Sequence, residues 1–447
     1  MRGRNVCAML MAGGQGSRLS VLSEMRAKPA VVFGGAYRII DFTMSNAMHA
    51  QIPYVGICTQ YRPYSLTAHI ANGEAWGYSG TRRIARILPP YKAEDYSDWY
   101  AGTADAIYQN LSFIERFEGI EHVLILSGDH IYKMDYGKLL DCHLANDADL
   151  TIASQAIPWE DAKHFGIVVA DGKDRISGFQ EKPRQNPKSN LANLGIYLFK
   201  LKTLKQRLSD DAHRVNTTHD FGHDVIPEMV RCGDRVFAYR FQGYWRDVGA
   251  IHALWQTNMD VLDPQRTGLD LQAWKLHTNY KSQGPLRLLP AKVATSGKVS
   301  HSLVSCGCHL AGEVRDSVIS PGVRVHRHAL VERAVILNNV EIGEGAVIRN
   351  AIIDKETVVS PGVVLGGGDD LTPNETLGPL LQEGISLIGK RALLPRDVHF
   401  GRNCLVYPFA RRRDFVRREY PSGSTVLNEK YRHALDAQVF HAPKIAS

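Results

Sequence analysis

A repeat in the last third of the chain narrows the fold more than any other feature. Ser317-Val318-Ile319, Ala334-Val335-Ile336 and Ala351-Ile352-Ile353 start at 317, 334 and 351, a step of 17 residues. Ser302-Leu303-Val304 precedes them, and Pro321-Gly322-Val323 and Ile342-Gly343-Glu344-Gly345-Ala346-Val347 fall between them. An apolar beat roughly every six residues, three beats to a repeat, is the rhythm of a left-handed parallel β-helix with three short strands per coil. A β-sandwich needs longer spacing between its strands. Ile388-Gly389-Lys390 and Phe400-Gly401-Arg402-Asn403-Cys404-Leu405 read as further coils beyond an inserted loop at Gly366–Gly384. The β-helix is therefore placed at 291–410, with 411–447 expected as a basic, irregular C-terminal tail. Stacked coils leave open ends and flat faces, which favours an oligomer.

The rest of the chain has a different period. From residue 1 to 262 short apolar runs alternate with helical patterns. Strands are expected at Val6–Met11, Val55–Thr59, Val123–Ser127, Leu150–Gln155, Ile167–Ala170, Gly195–Phe199 and Val236–Arg240. Helices are expected at Asp41–Ala50, Thr103–Phe117 and Phe221–Arg231. This alternation predicts an α/β, doubly wound, mostly parallel sheet. Such sheets bind ligands beyond the C-terminal ends of their strands. Residues 263–290 carry Pro264, Gly268, Gly284, Pro285 and Pro290 without sustained periodicity and read as a linker.

The first strand runs into Ala12-Gly13-Gly14-Gln15-Gly16-Ser17-Arg18-Leu19, followed by Arg26-Ala27-Lys28-Pro29-Ala30. Glycines let the backbone approach a ligand closely and aim N–H groups at it. With Arg18 and Lys28, the turn at Gly13, Gly14 and Gly16 forms a cradle for a strongly anionic group such as a triphosphate. It is not the dinucleotide fingerprint, because Leu19 stands where a third glycine is required. Nor is it a Walker A loop, because no Gly-Lys-Ser/Thr closes it.

Charge and cysteine content exclude several function classes. The net charge is +7, and residues 411–418 hold five arginines and one aspartate, so +4 of it is local. A nucleic-acid groove spreads its basic residues and interleaves aromatics. No run approaches the ~20 apolar residues of a membrane span. Arg2 and Arg4 precede an apolar stretch that ends in glycines, which reads as a strand rather than a signal peptide. The seven cysteines (7, 58, 142, 232, 306, 308 and 404) are odd in number and scattered, as expected for free thiols in a cytoplasmic protein.

Two aspartates draw attention. Asp129 follows the strand Val123–Leu126 in Gly128-Asp129-His130, and Asp247 lies in Trp245-Arg246-Asp247-Val248-Gly249. Mg²⁺ takes one or two carboxylates plus substrate oxygens, which two acids at strand ends suit. Their spacing in sequence does not bring them together.

The glycine turn with Arg26-Ala27-Lys28-Pro29-Ala30, Arg38-Ile39-Ile40-Asp41-Phe42, Thr59-Gln60-Tyr61, Thr103-Ala104-Asp105-Ala106 and Trp245-Arg246-Asp247-Val248-Gly249 together resemble the sugar-nucleotide pyrophosphorylases. The match covers about 1–405 and is most similar to the bacterial ADP-glucose pyrophosphorylases. The resemblance implies attack by a glucose 1-phosphate oxygen on the α-phosphorus of ATP, releasing ADP-glucose and pyrophosphate. It implies Mg²⁺ on Asp129 and Asp247, with Arg18 and Lys28 on the departing pyrophosphate. Gly13, Gly14, Gly16, Gln60, Gly102 and Thr103 fall at nucleotide positions. Tyr100, Gly166, Glu181, Lys182 and Asn193 fall at sugar-phosphate positions, with Asn193 where the family usually has serine. A homotetramer is implied, and Arg26, Arg38 and Arg116 match positions that bind regulatory phosphates, so phosphorylated metabolites are the effectors to test. Met25 stands where a lysine is expected and a histidine near Val32 is absent, which argues against a fructose 1,6-bisphosphate response. Three other readings remain open: a pyrophosphorylase for another sugar nucleotide, a non-catalytic regulatory subunit, and an acyltransferase using His301, His309, His326 or His328. The last leaves the N-terminal domain unexplained.

Overall fold

A computed structural model describes residues 3–14, 16–90, 99–283 and 289–436. Arg2, Gln15 of the glycine turn, residues 284–288 of the expected linker and the tail from 437 onward lie outside the described residues. The chain forms two compact units, residues 1–14 with 40–245 and residues 15–39 with 246–447.

The first unit is built on a nine-stranded sheet. Its strands are β1 (Val6–Met11), β2 (Tyr54–Cys58), β3 (Ile84–Leu88), β4 (His122–Ser127), β5 (Leu150–Ala156), β6 (Gly166–Ala170), β7 (Ile176–Glu181), β8 (Leu191–Lys200) and β9 (Val236–Arg240). They run in the order β7-β6-β8-β4-β1-β2-β3, with β5 pairing β8 and β9. β1 is apolar throughout because it is central: Cys7, Ala8, Met9 and Leu10 are all fully buried. The sheet is mixed, which corrects the mostly parallel expectation. β3, β2, β1 and β4 run parallel, whereas β8 is antiparallel to β4, β5 and β6, and β7 to β6. The cause is loop length: residues 171–175 join β6 to β7, far short of the dozen or so a parallel crossover requires. The helix expected at Thr103–Phe117 is also broken, into Thr103–Tyr108 and Leu111–Glu115. Asn110 sits at the break and donates to the Ala106 carbonyl and the Tyr100 hydroxyl.

Two histidines meet edge to face where a sheet strand packs on a helix. His143 is fully buried on the helix Tyr136–Ala145 with Nδ1 2.8 Å from Thr151 Oγ1, and the His122 ring stands edge-on 5.1 Å away. Burial first, then His122 and Lys200, pushes His143 down to about 3, and burial also lowers His122. Above pH ~6.5 both histidines are neutral folded or unfolded. Below it the unfolded chain takes up protons that the folded chain refuses, so stability falls with pH until the folded-state values are reached. We expect the urea midpoint to drop between pH 6.5 and 4.5, by at most about 1.4 kcal/mol per pH unit for His143. In His143→Gln that pH dependence should flatten; equal slopes in the two proteins would refute the assignment.

In the second unit parallel strands stack into a β-helix. One interior column runs Leu310, Val325, Ile342, Val359 and Leu394, each in register with the next and each fully buried. A second runs Ile319, Ile336, Ile353, Ile388, Val406 and Val426. The 17-residue step is thus one coil. The inserted loop is anchored by Asn374, whose Nδ2 donates to the Asn403 and Gly423 carbonyls, and by Asn403, whose Nδ2 donates to Leu371 and Thr372. The expectation of an irregular tail from 411 is corrected. Arg412–Asp414 form a 3₁₀ turn, and Glu419–Tyr420 and Thr425–Val426 add rungs with Tyr420 and Val426 in the core. A helix follows at Glu429–Asp436. The arginines stay outside, as does Val416, while Phe415 packs against the core.

Residues 15–39 belong to this second unit because polar groups tie them there. Both Arg26 Nη groups donate to the Asp354 carboxylate at 2.8 Å, and both side chains are buried. Gly34 N–H donates to Asn258 Oδ1 at 2.9 Å, and the Tyr431 hydroxyl to Glu24 at 2.5 Å. Residues 263–283, expected as linker, include the short helices Pro264–Thr267 and Tyr280–Gln283 and bury Leu269 and Leu276.

Candidate active site

In the first unit three strand tips meet. Ala12 N–H donates to the Cys58 carbonyl, and Gly128 N–H to the Met11 carbonyl. These bonds set the turns after β1, β2 and β4 side by side at the C-terminal edge, where a doubly wound sheet takes its ligand. Gly13 is pressed against Gln60: a Cβ there would lie 3.3 Å from the Gln60 backbone nitrogen, while one on Gly14 would meet nothing within 4 Å. Gln60 uses its amide to clamp the backbone of Tyr100, accepting from its N–H at 3.1 Å and donating to its carbonyl at 3.4 Å. Tyr100 is buried, its hydroxyl donating to Leu88 and accepting from Asn110. Its phenol therefore supports the wall from inside.

Asp129 follows the β4 tip, its carboxylate one-third exposed. It accepts from the Ser127 hydroxyl and lies 3.5 Å from His130 Nε2. The His130 ring packs edge-on against Trp245 at 5.1 Å, and Trp245 against Phe165 at 5.6 Å.

A second group surrounds Glu181 at the end of β7. Both Gly166 and Gly222 make room for it, since a Cβ on either would stand under 3 Å from Glu181 Oε2. Lys182 has φ +42°, its ammonium 3.2 Å from Glu181 Oε1 and largely exposed. Asn193 is committed locally, donating to the Tyr197 hydroxyl and accepting from Gly195 N–H. Thr103 donates to Asp220 at 2.8 Å and accepts from Phe221 N–H. Gly102 is forced by packing: a Cβ would lie 2.3 Å from the His219 carbonyl oxygen. Sequence reasoning missed Asp220 and Gly222, although Asp220-Phe221-Gly222 is itself a helix-start signal: Asp220 caps the N–H groups of Gly222 and His223.

In the second unit the basic residues converge on Asp247. Lys28 is buried, and its Nζ donates to Asp247 Oδ1 at 2.8 Å. Arg18, mostly exposed, brings Nη2 to 3.6 Å from Oδ2. Gly16 adopts φ +64° directly over Lys28, where a Cβ would lie 3.1 Å from the Lys28 Cβ. Gly249 was also missed. Its N–H donates to Asp247 Oδ1 at 2.8 Å, and an added Cβ would fall 2.8 Å from Arg18 Nη2, 2.9 Å from Asp247 Oδ1 and 3.0 Å from Lys28 Nζ. Gly249→Ala should therefore push these three groups apart and cut turnover at least ~10-fold, about 1.4 kcal/mol of barrier, with little change in unfolding midpoint. Unchanged kcat and KM would refute the crowding argument.

Of the three arginines tied to regulatory phosphates, Arg26 is held by Asp354 and Arg38 is buried with Nη1 on the Ala30 carbonyl. Both face the interior of the second unit. Arg116, in the first unit, is exposed. Beside Arg26 and Arg38, Lys355 has its ammonium pushed down by burial and by those two guanidiniums.

A glycine turn, basic groups around a carboxylate and a second carboxylate at a strand tip, carried with a β-helix, define a nucleotidyltransferase with a hexapeptide domain. Residues 7–264 match the nucleotidyl transferase family and residues 284–388 the GlmU-like C-terminal hexapeptide family. The chain is 40% identical over 430 residues, 96% of it and 99% of the relative, to the glucose-1-phosphate adenylyltransferase of Acetivibrio thermocellus. It is 43% identical to that of Thermotoga neapolitana, over 95% of this chain and 99% of the relative. For that of Bacillus mycoides the figures are 44%, 80% and 94%. The chain belongs to the glucose-1-phosphate adenylyltransferase family of nucleotidyltransferases. Enzymes of this kind use a divalent metal ion. No helix among the described residues is long and apolar enough to cross a membrane.

Proposed function

We propose that the chain transfers the adenylyl group of ATP to glucose 1-phosphate, giving ADP-glucose and pyrophosphate for glycogen synthesis. The observation that carries this reading is the convergence of Lys28 and Arg18 on Asp247, in a member of a family whose relatives bear that activity in their names.

A phosphate oxygen of glucose 1-phosphate attacks the α-phosphorus of ATP. The new P–O bond forms as the bond to the β-phosphate oxygen breaks, and pyrophosphate leaves. The N–H groups at Gly13, Gly14 and Gly16 receive the triphosphate, and Lys28 and Arg18 neutralise the departing pyrophosphate. Lys182 takes the sugar phosphate and Glu181 the sugar hydroxyls, with Gly166 giving them room. Gln60 and Tyr100 shape the wall, Gly102 and Thr103 fix the helix behind it, and Asn193 holds the strand bulge. Catalysis is positioning plus electrostatics, with no covalent enzyme intermediate.

Asp129 and Asp247 offer hard carboxylate oxygens, the donor type and number that Mg²⁺ takes beside substrate phosphates. They would hold that ion, which when bound offsets the charge spread over the phosphate oxygens. The free thiols of all seven cysteines suit the cytoplasm. The last coil leaves the outer edges of Leu393–Leu394, Glu419–Tyr420 and Thr425–Val426 without a neighbouring strand among the described residues, which supports assembly, here a homotetramer. Phosphorylated metabolites are the effectors to test.

Initial rates of pyrophosphate release with glucose 1-phosphate and each of ATP, GTP, UTP and dTTP test the reading. ATP should exceed every other nucleotide at least ~10-fold in kcat/KM, a 1.4 kcal/mol preference. Preference for another nucleotide, or no turnover with any, would overturn it.

A further inference from the structure

A histidine with no part in the transfer chemistry fastens two sections of the first unit's substrate wall together. His219 lies in the loop between the helix Leu201–Ala212 and the turn that starts at Phe221. Its φ is +54°, in the left-handed region that few residues with a Cβ adopt unless their surroundings hold them there. Asp211 does the holding. His219 Nδ1 is 2.9 Å from Asp211 Oδ2, and because a carboxylate only accepts, that nitrogen carries the proton. His219 N–H donates to the Thr217 hydroxyl at 3.0 Å, and that hydroxyl donates to Asp211 Oδ1 at 2.7 Å. Asp211 is 5% exposed, so water competes little for either bond. On the far side of the loop, Asp224 Oδ2 accepts from the Thr218 N–H and hydroxyl and from Asp220 N–H. Every residue from 217 to 220 is thereby pinned.

The pinned backbone serves two neighbours. The His219 carbonyl accepts from Ala104 N–H at 2.8 Å and Asp105 N–H at 3.4 Å, donors that the first turn of the helix Thr103–Tyr108 leaves unpaired. Gly102 sits flush on the same loop, since a Cβ there would lie 2.3 Å from the His219 carbonyl oxygen and 2.4 Å from that of Thr218. The residues that follow face Glu181. Asp220 takes the Thr103 hydroxyl at 2.8 Å, and a Cβ on Gly222 would stand 2.9 Å from Glu181 Oε2. A shift of this loop therefore moves Gly102 and Thr103 together with the support behind Glu181. Misplacing a binding group by about 1 Å can cost ~10²-fold in rate.

We propose that His219, locked by Asp211, is a positioning residue that sets the spacing between the nucleotide side of the site, at Gly102 and Thr103, and the sugar side, at Glu181. The inference rests on the roles assigned to those three residues under the proposed transfer reaction. The imidazole acts through its Nδ1–H bond and through the backbone conformation that bond maintains.

Calorimetric titration of ADP-glucose into the full chain, beside initial rates with ATP and glucose 1-phosphate, tests this. His219→Gly accepts the same φ without the ring. It should weaken ADP-glucose binding and raise the KM for glucose 1-phosphate, each at least ~10-fold. Asp211→Ala should do likewise, and the two losses should be less than additive because both variants cut one bond. His219→Asn tolerates the left-handed region and carries Nδ2 where the imidazole has Nδ1, so it should restore both values to within ~2-fold of wild type. Thr217→Val, which removes one of the two anchors on Asp211, keeps the test open if His219→Gly folds poorly; it should weaken ADP-glucose binding at least ~3-fold. Wild-type binding and KM in His219→Gly, with or without a lowered urea midpoint, would assign the pair to stability alone and overturn the proposal. So would a His219→Asn variant as impaired as His219→Gly. A wild type that neither binds ADP-glucose nor turns over would overturn the transfer reading and this proposal with it, whereas variants that match an active wild type overturn this proposal alone.

Discussion

Lys28→Met should lower kcat/KM for ATP by ~10²–10³, the cost of removing one preorganised charge from a transition state, about 2.7–4 kcal/mol. Lys28 is buried and its ammonium bonds Asp247 at 2.8 Å, so it is fixed before substrate arrives. Such a group adds no reorganisation cost at the moment of reaction, unlike the exposed Arg18. Methionine keeps the length of the side chain and removes the charge. The variant also leaves Asp247 with less compensation, so the effects of Lys28→Met and Asp247→Asn should be less than additive in a double-mutant cycle. Strict additivity, or a fall below tenfold in Lys28→Met, would show that Lys28 serves the fold rather than the phosphates.

Asp354→Ala should produce the largest loss of stability, ~3–5 kcal/mol, because it strands a buried cation. Arg26 and Asp354 form a two-pronged bond with both side chains almost wholly enclosed, and Arg38 and Lys355 add positive charge around it. Removing the carboxylate leaves that charge facing itself. The pair's own net worth is a different quantity: replacing both partners with apolar residues, Arg26→Met/Asp354→Leu, should recover most of the loss. Urea midpoints of the three proteins at one protein concentration measure both effects. A shift under 1 kcal/mol in Asp354→Ala would contradict the enclosed geometry.

The β-helix was legible because every coil has to put an apolar residue at the same interior position, so Ile319, Ile336 and Ile353 recur at one step. Its last turns were not, because the step from Val406 to Val426 is 20 residues long and five arginines on its outer corner mask the inward Tyr420. The glycine turn, Asp129 and Asp247 each had a local signature. Their partners did not: Lys28 is 219 residues from Asp247, and Arg26 is 328 from Asp354. No local pattern encodes pairs so distant, so the sequence does not show that residues 15–39, which lie within the nucleotidyl transferase match, are tied by polar contacts into the second unit. Gly249 was quoted within its motif, yet its role is steric and emerges only when the space above it is seen to hold three charged atoms. The mixed sheet followed from short connections rather than from strand composition.

We propose that Asp129 and Asp247 each supply a carboxylate to the divalent ion of nucleotidyl transfer. The most direct test of this is the Mg²⁺ dependence of ADP-glucose synthesis from ATP and glucose 1-phosphate in the wild type, Asp129→Asn and Asp247→Asn. The account predicts that each variant loses at least ~10-fold in kcat and needs more Mg²⁺ for half-maximal rate. Rates within tenfold of wild type at an unchanged Mg²⁺ requirement, in either variant, would contradict it.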